Sequence, residues 1–175
     1  VSSASCIDVS LRICNLADHK EHLPTLAFWH HEEWLNGRPY VPERDKYYGF
    51  KRRLQVLRSH FVEQALPRSF VALYNGEPVA SVSLVYFVFT ERQKKSLWLT
   101  NLYVPPQLRR QGLGELMLDY ALDYALSNEK EQEKLLLYTR DKEIFYKKRG
   151  WQAQGSGRVQ GQNVCILSYP LASSL

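Results

Sequence analysis

The sequence predicts a mixed α/β layer structure of the α+β kind, with one central sheet of six to seven strands flanked by about four helices. Three features carry this prediction. Runs that alternate apolar and polar residues are interleaved with runs of helical spacing. Asn75-Gly76 lies between two apolar runs, a hairpin signal that makes part of the sheet antiparallel. A strand–helix–strand unit from Leu97 to Thr139 then requires one parallel crossover near the centre. The 175 residues, 45% of them hydrophobic, suit a single domain over residues 1–175 with a substantial core.

The elements follow in order. IDVSLRICNL alternates Ile7, Val9, Leu11 and Ile13 on one face, a half-buried strand. Asp18 to Leu35 turns helical, with Leu23, Leu26, Ala27, His30 and Trp34 on one stripe. NGRPYVP is a loop by its Gly and Pro content. A second helix, about Asp45 to Ala65, spaces Leu54, Leu57, Phe61 and Ala65 and stops at Leu66-Pro67. SFVALY and VASVSLVYF form the hairpin, ERQKKS is a polar loop, and LWLTNLYV is a strand halted by Pro105-Pro106. Gly112 to Leu126 is an amphipathic helix with Leu113, Leu116, Met117, Tyr120, Ala121 and Tyr124 on its apolar face. SNEKEQE reads as a solvated link and KLLLYT as a short buried strand. DKEIFYKKRG is a short helix, capped by Asp141 and ended at Gly150. WQAQGSGRV and QNVCILSYP close the chain as a strand pair.

Composition narrows the function classes. No apolar run nears the roughly 18–20 residues of a membrane helix, so no membrane partner is expected. VSSASCIDVS has neither the basic nor the apolar region of a secretion signal. Three scattered cysteines, without metal spacing, fit a reducing cytoplasm. The net charge of +5 suits nucleic acid, an acidic surface or a phosphorylated small molecule. The clusters at Lys51–Arg53, Leu108–Arg110 and Lys147–Arg149 lack the interleaved aromatics of single-strand binders, and no nucleic-acid partner is expected.

PPQLRRQGLGELML, Pro105 to Leu118, places two arginines and two glycines where a helix begins. The first turn of a helix presents unpaired N–H groups at the positive end of its dipole, a ready anion site. Gly112 and Gly114 let a bulky anion approach the backbone, and Arg109 and Arg110 add forked donors suited to phosphate. Alone, the pattern suits equally a turn whose glycines permit close helix–strand packing. It is neither the dinucleotide fingerprint, since Met117 stands where a third glycine belongs, nor a P-loop, since no Gly-Lys-Ser/Thr follows.

Strand LYV, then PPQLRRQGLG, an amphipathic helix, KLLLYT and IFYKKRGW together resemble the GCN5-related N-acetyltransferases (GNAT). That family's acetyl-CoA loop has the form Arg/Gln-x-x-Gly-x-Gly/Ala, filled here by Arg109, Gly112 and Gly114, and FYKKRGW resembles its second signature. The resemblance covers about Ser69 to Leu171. It implies a GNAT-like fold and acetyl-CoA as cosubstrate, with no metal. Leu102, Tyr103 and Val104 would pair with the pantetheine arm. Arg109, Arg110, Gln111, Gly112, Leu113 and Gly114, with the amide of Glu115, would hold the pyrophosphate. Tyr146 would be the general acid for the leaving thiolate, as a phenol of pKa near 10 is protonated at neutral pH.

Many members carry a glutamate on the central strand as general base; the corresponding position here is Thr100. WHHEEW offers substitutes, chiefly Glu33 or His30, on the helix that borders the family's acceptor groove. A zinc site fails on spacing, and His19 and His22 read as helix-surface residues. Trp34, Tyr40, Tyr47, Tyr48 and Tyr86 are candidate walls of the acceptor site. The expected activity is acetyl transfer to a primary amine of a small molecule or peptide by direct attack in a ternary complex, in a monomer or homodimer. The alternative is a non-catalytic acyl-CoA sensor on the same fold, which the missing strand glutamate favours.

Overall fold

Alternate residues of the central strands send apolar side chains to opposite faces of one sheet, and the helices cover those faces. The computed structural model describes residues 10–35, 41, 49–88, 95–159 and 161–172. The strands are β1 (Leu11–Asn15), β2 (Arg68–Tyr74), β3 (Glu77–Val88), β4 (Lys95–Tyr103), β5 (Lys134–Thr139), β6 (Gln152–Val159) and β7 (Gln162–Pro170). The described helices are α1 (Leu23–Leu35), α2 (Phe50–Arg58), α3 (Leu113–Asn128) and α4 (Glu143–Lys147). The seven strands run in the order β1-β2-β3-β4-β5-β7-β6. Every neighbouring pair is antiparallel except β4–β5, which is parallel. The fold class, strand number and central crossover expected from the sequence are therefore observed.

On one face, Phe70, Val82, Leu84, Leu97, Leu99, Leu135 and Leu137 pack under α3 through Met117, Leu118, Ala121 and Ala125. On the other, Val71 and Leu73 meet Leu23, Leu26 and Ala27 of α1 and Leu57 of α2. Trp98, Leu136 and Ile166 form a third cluster. The hairpin turn holds Asn75 at φ 49° and Gly76 at φ 82°, the positive φ pair that suits the twist of the flanking strands.

Several boundaries differ from expectation. Ile7, Val9 and the start of the second helix lie outside the described residues, and Leu11 is exposed on a short edge strand. Residues 16–22 form two 3-10 turns before α1, the first begun by Asn15 accepting a bond from the Ala17 amide at 3.1 Å. α2 stops at Arg58, not Ala65. Ser59 Oγ donates to the Val56 carbonyl at 2.6 Å, and tight turns follow through His60 and Phe61. The imidazole of His60 is held by Ser69, which turns the chain into β2. Asp141 does not cap α4; Thr139 Oγ1 accepts from the Lys142 amide at 3.0 Å instead. Leu116 is exposed, and Leu118 and Ala125 complete the buried stripe of α3 in its place.

The supposedly solvated SNEKEQE contains a buried carboxylate. Glu129 Oε2 accepts from Tyr86 Oη, and Glu129 Oε1 accepts from the amides of Glu131 and Gln132 at 2.7 and 3.2 Å. Burial and this carboxylate push the Tyr86 phenol upward. Tyr86 is thus tied to the C-terminal end of α3, about 24 Å along the helix axis from its first turn, and does not wall a site there. Tyr86→Phe is expected to lower unfolding free energy by about 1–3 kcal/mol, because a partner of a buried charged acceptor is lost. Urea denaturation with an unchanged midpoint would show that solvent replaces the phenol.

Candidate functional site

β4 and β5 pair only at Leu97 with Leu135 and Trp98 with Leu136. Beyond these positions β4 stays with β3 as far as Tyr103, and β5 stays with β7 as far as Thr139. The sheet therefore opens into a wedge, and the β4 edge past Trp98 has no strand partner on the β5 side. Leu102, Tyr103 and Val104 lie on or just beyond that edge. Pro105 then turns the chain through a 3-10 turn toward α3.

The loop ends at the mouth of this wedge. Gly112 is the N-cap of α3 at φ 85°, and Arg110 sits at φ 62°. A Cβ on Gly112 would meet Glu115 Oε2 at an ordinary 3.5 Å, so conformation, not crowding, demands glycine there. A Cβ on Gly114 would meet nothing within 4 Å, so the space over the first turn of α3 is open. The guanidinium of Arg110 is exposed and carries no ion pair among the described residues. Gln111 is exposed beside it and Leu113 half-buried.

Arg109 is placed differently from the simple picture of a free cation. Its Nε donates to the Val104 carbonyl at 2.8 Å, and its guanidinium lies 5.6 Å from the Tyr103 ring centre. Its Nη2 stands 3.9 Å from Glu33 Oε2. The other oxygen of Glu33 stands 3.9 Å from Arg140 Nη2, just past β5. Glu33, at the end of α1, thus spans the wedge mouth between arginines from its two sides. Trp29, one turn earlier, packs on Tyr103 with ring centres 5.5 Å apart.

Glu115 points to α4. Its Oε1 meets Arg149 Nη2 at 2.5 Å, and Arg149 stacks 4.0 Å over the Phe145 ring. This pairing neutralises a carboxylate in the first turn of α3. Tyr146 packs against Phe145 and Trp151 and is 8% exposed. Burial, with the charge of Asp141, pushes its pKa up to about 12. Gly150 ends α4 at φ 88°.

Thr100, where the resemblance puts a strand glutamate, lies opposite Ser83 of β3 and is half-buried. Beside it runs a buried polar network that sequence reasoning missed. His60 Nδ1 is 2.7 Å from Ser69 Oγ, Ser69 Oγ 2.7 Å from Ser83 Oγ, and Asn101 Nδ2 donates to Ser83 Oγ at 3.3 Å. Ser81 Oγ donates to the Asn101 carbonyl at 2.9 Å and meets His30 Nε2 at 3.0 Å. The alternation of Ser69, Ser81 and Ser83 in otherwise apolar strands was the available signal. His30 is therefore a core residue bonded to Ser81, not a group lining the groove. Burial, with the nearby charge of Arg53, lowers its pKa to about 3, and burial lowers that of His60 to about 4.

His19, Glu21 and His22 gather in the 3-10 turns before α1, not on a helix face, with Glu21 3.5 and 3.7 Å from the two imidazoles. Of the aromatic wall candidates, Tyr40, Tyr47, Tyr48 and the Trp34 side chain lie outside the described residues.

A family model described as an acetyltransferase (GNAT) domain matches residues 66–153, half of the chain. The chain belongs to the GNAT acetyltransferase family. Solved structures agree in fold. A GNAT-family acetyltransferase from Streptococcus pneumoniae is 17% identical, with a TM-score of 0.63, covering 93% of this chain and 100% of its own. Mutant forms of the spermidine/spermine N-acetyltransferase SpeG from Vibrio cholerae match at 17% identity and TM-score 0.62, over 93% of this chain and 95% of theirs. Arabidopsis thaliana Naa50, in complex with a bisubstrate analogue containing CoA, is 18% identical with TM-score 0.60, over 92% of this chain and 99% of its own. No curated protein sequence matches this chain. In this GNAT chain, Arg109 to Gly114 leads into the first turn of α3, and Phe145 to Trp151 spans α4 and the turn into β6.

Two outcomes are expected. Gly114→Val fills open space, so the unliganded protein should melt within about 1–2 °C of wild type. The same variant should lose the stabilisation that CoA confers, and a full CoA response would show that nothing binds over Gly114. The second concerns pH. The folded pKa values of His30 and His60 lie below the ordinary 6.5, so below that pH the unfolded chain binds protons that the folded chain excludes. Stability should be fully present above about pH 6.5 and fall by about 1.4 kcal/mol per pH unit for each histidine below it. His60→Asn should halve that slope in thermal or urea unfolding between pH 7 and 5.5. A flat wild-type profile would mean that charged imidazoles are accommodated.

Proposed function

We propose that this acetyltransferase moves an acetyl group from acetyl-CoA to a primary amine of a small molecule or peptide, within one domain spanning residues 1–175. The observation that carries the reading is the pairing of an open, cationic α3 N-terminus with an unpartnered β4 edge at one wedge mouth. Exposed Arg110 and the first-turn N–H groups of Gly112 to Glu115 suit a pyrophosphate, and Gly114 leaves room for it. Arg109 holds the turn from Val104 into the loop and adds its charge. Leu102, Tyr103 and Val104 offer main-chain groups to an extended arm. Acetyl-CoA would supply an activated thioester there.

Tyr146 keeps its proton at neutral pH and is assigned to protonate the departing sulfur. Glu33 is the carboxylate at the groove rim assigned to meet the incoming ammonium. Direct attack in a ternary complex is favoured over an acyl-enzyme. Burial and Glu143 push the Cys165 thiol upward, away from the reactive thiolate such a route needs. Thr100 at the strand position is the observation that favours the second reading, a non-catalytic acyl-CoA sensor. A cytoplasmic location, and a monomer or homodimer, complete the proposal.

Thermal unfolding with acetyl-CoA, CoA and ATP tests the cradle first. At a hundredfold excess over Kd, a ligand specific for the folded state stabilises it by about 2.7 kcal/mol. The expected result is a rise with acetyl-CoA and CoA but not ATP, followed by CoA release when primary amines are added. Tyr146→Phe should then slow turnover by about 10²-fold or more at unchanged acetyl-CoA affinity. Binding without turnover for any amine would establish the sensor, and no binding would overturn both readings.

A further inference from the structure

Three described residues other than glycine have positive φ: Asn75, Arg110 and Asn101. Asn75 belongs to the hairpin turn and Arg110 to the loop before α3. Asn101, at φ 54°, lies inside β4, where neither a turn nor a loop explains it. A left-handed residue costs about 1–2 kcal/mol in an ordinary chain and persists where its surroundings over-determine it. The register shows what it accomplishes. Ser81 pairs with Tyr103 and Ser83 with Thr100, so two steps on β3 answer three on β4. One extra residue is inserted, a β-bulge that bends β4 at the unpartnered edge of the wedge.

The main-chain carbonyl and the side-chain Nδ2 of Asn101 are both held. Its carbonyl accepts from Ser81 and its amide donates to Ser83, the two serines that flank the register break. Each serine is backed by a buried histidine, and all five side chains, His30, His60, Ser69, Ser81 and Ser83, are at most 5% exposed. Hydrogen bookkeeping fixes one end of the chain. The only hydroxyl hydrogen of Ser81 goes to Asn101, so His30 Nε2 must donate to Ser81. At the other end Ser83 accepts from Asn101 and shares a hydrogen bond with Ser69, which shares one with His60 Nδ1. All three serine hydroxyls and both imidazoles have partners, as a buried network requires if it is to rigidify what it holds.

We propose that His60 and His30 are positioning residues for the transfer reaction, clamping Asn101 through Ser69–Ser83 and Ser81 so that the bulged β4 edge is set for the pantetheine arm of acetyl-CoA. This rests on the acetyl-CoA reading above. The anchors come from two helices packed on one face of the sheet, His30 from α1 and His60 from just past α2, so helix packing on the sheet also fixes the strand edge. Both imidazoles stay neutral near pH 7, which keeps the donor and acceptor roles unchanged there.

The test separates the arm from the phosphates. Isothermal titration of the full chain would compare CoA with 3′-phospho-ADP, which keeps the phosphates but has no arm. His60→Leu and Ser83→Ala are expected to weaken CoA by about tenfold, the worth of one main-chain hydrogen bond. Binding of 3′-phospho-ADP should stay within about twofold, and His60→Asn, whose amide can still hydrogen-bond Ser69 as donor or acceptor, should restore most CoA affinity. If His60→Leu fails to fold, Ser83→Ala decides. A CoA to 3′-phospho-ADP affinity ratio unchanged in folded variants would overturn the clamp. Wild-type protein that binds CoA no better than 3′-phospho-ADP would overturn the role of the β4 edge. Wild-type protein that binds neither would overturn the acetyl-CoA reading itself.

Discussion

Two residue pairs hold the halves of this sheet together. Leu97 with Leu135 and Trp98 with Leu136 are the whole ladder between β4 and β5, and both pairs are buried in apolar clusters. Because the pairing is parallel, a crossover must join the strands, and α3 is that crossover. Its first turn consequently comes to the end of the sheet where the strands part. An open β edge and the positive end of a 16-residue helix meet at one place for this single topological reason. Ligand-binding clefts of α/β sheets form at the carboxyl ends of strands by the same logic.

The charges around the mouth divide between holding the structure and remaining available. Arg149 is committed to Glu115 and Phe145, joining the start of α3 to α4. Arg109 is partly committed, through Val104 and Glu33, and Arg140 bonds Gln162 as well as facing Glu33. Such half-exposed ion pairs contribute little to stability, so their significance lies in where they hold the groups. Arg110, in a left-handed conformation and exposed, is the cation of the loop that carries no ion pair among the described residues.

Much of the fold was legible. Seven strands and the crossover followed from periodicity, and Asn75-Gly76 announced its turn. Helix ends were harder, because they depend on partners far away in sequence. α2 ends early because His60 is bonded to Ser69 across the turn, and α4 starts from Thr139, not Asp141. The loop at Arg109 to Gly114 was legible because its chemistry is local. The network of His30, His60, three serines and Asn101 was not, since its members are spread from residue 30 to residue 101 and each alone looks incidental. Glu129 was misread for the same reason. A carboxylate in a polar run reads as solvated until Tyr86 is seen above it.

By itself the sequence determined the layer architecture, the family resemblance and the arginine–glycine loop that opens α3, because each is written in spacing over a few consecutive residues. Only the tertiary structure decided which cations are free, which histidine is buried and where β4 bends. Those outcomes depend on burial and on hydrogen-bond partners contributed by different strands and helices, and no local pattern encodes them.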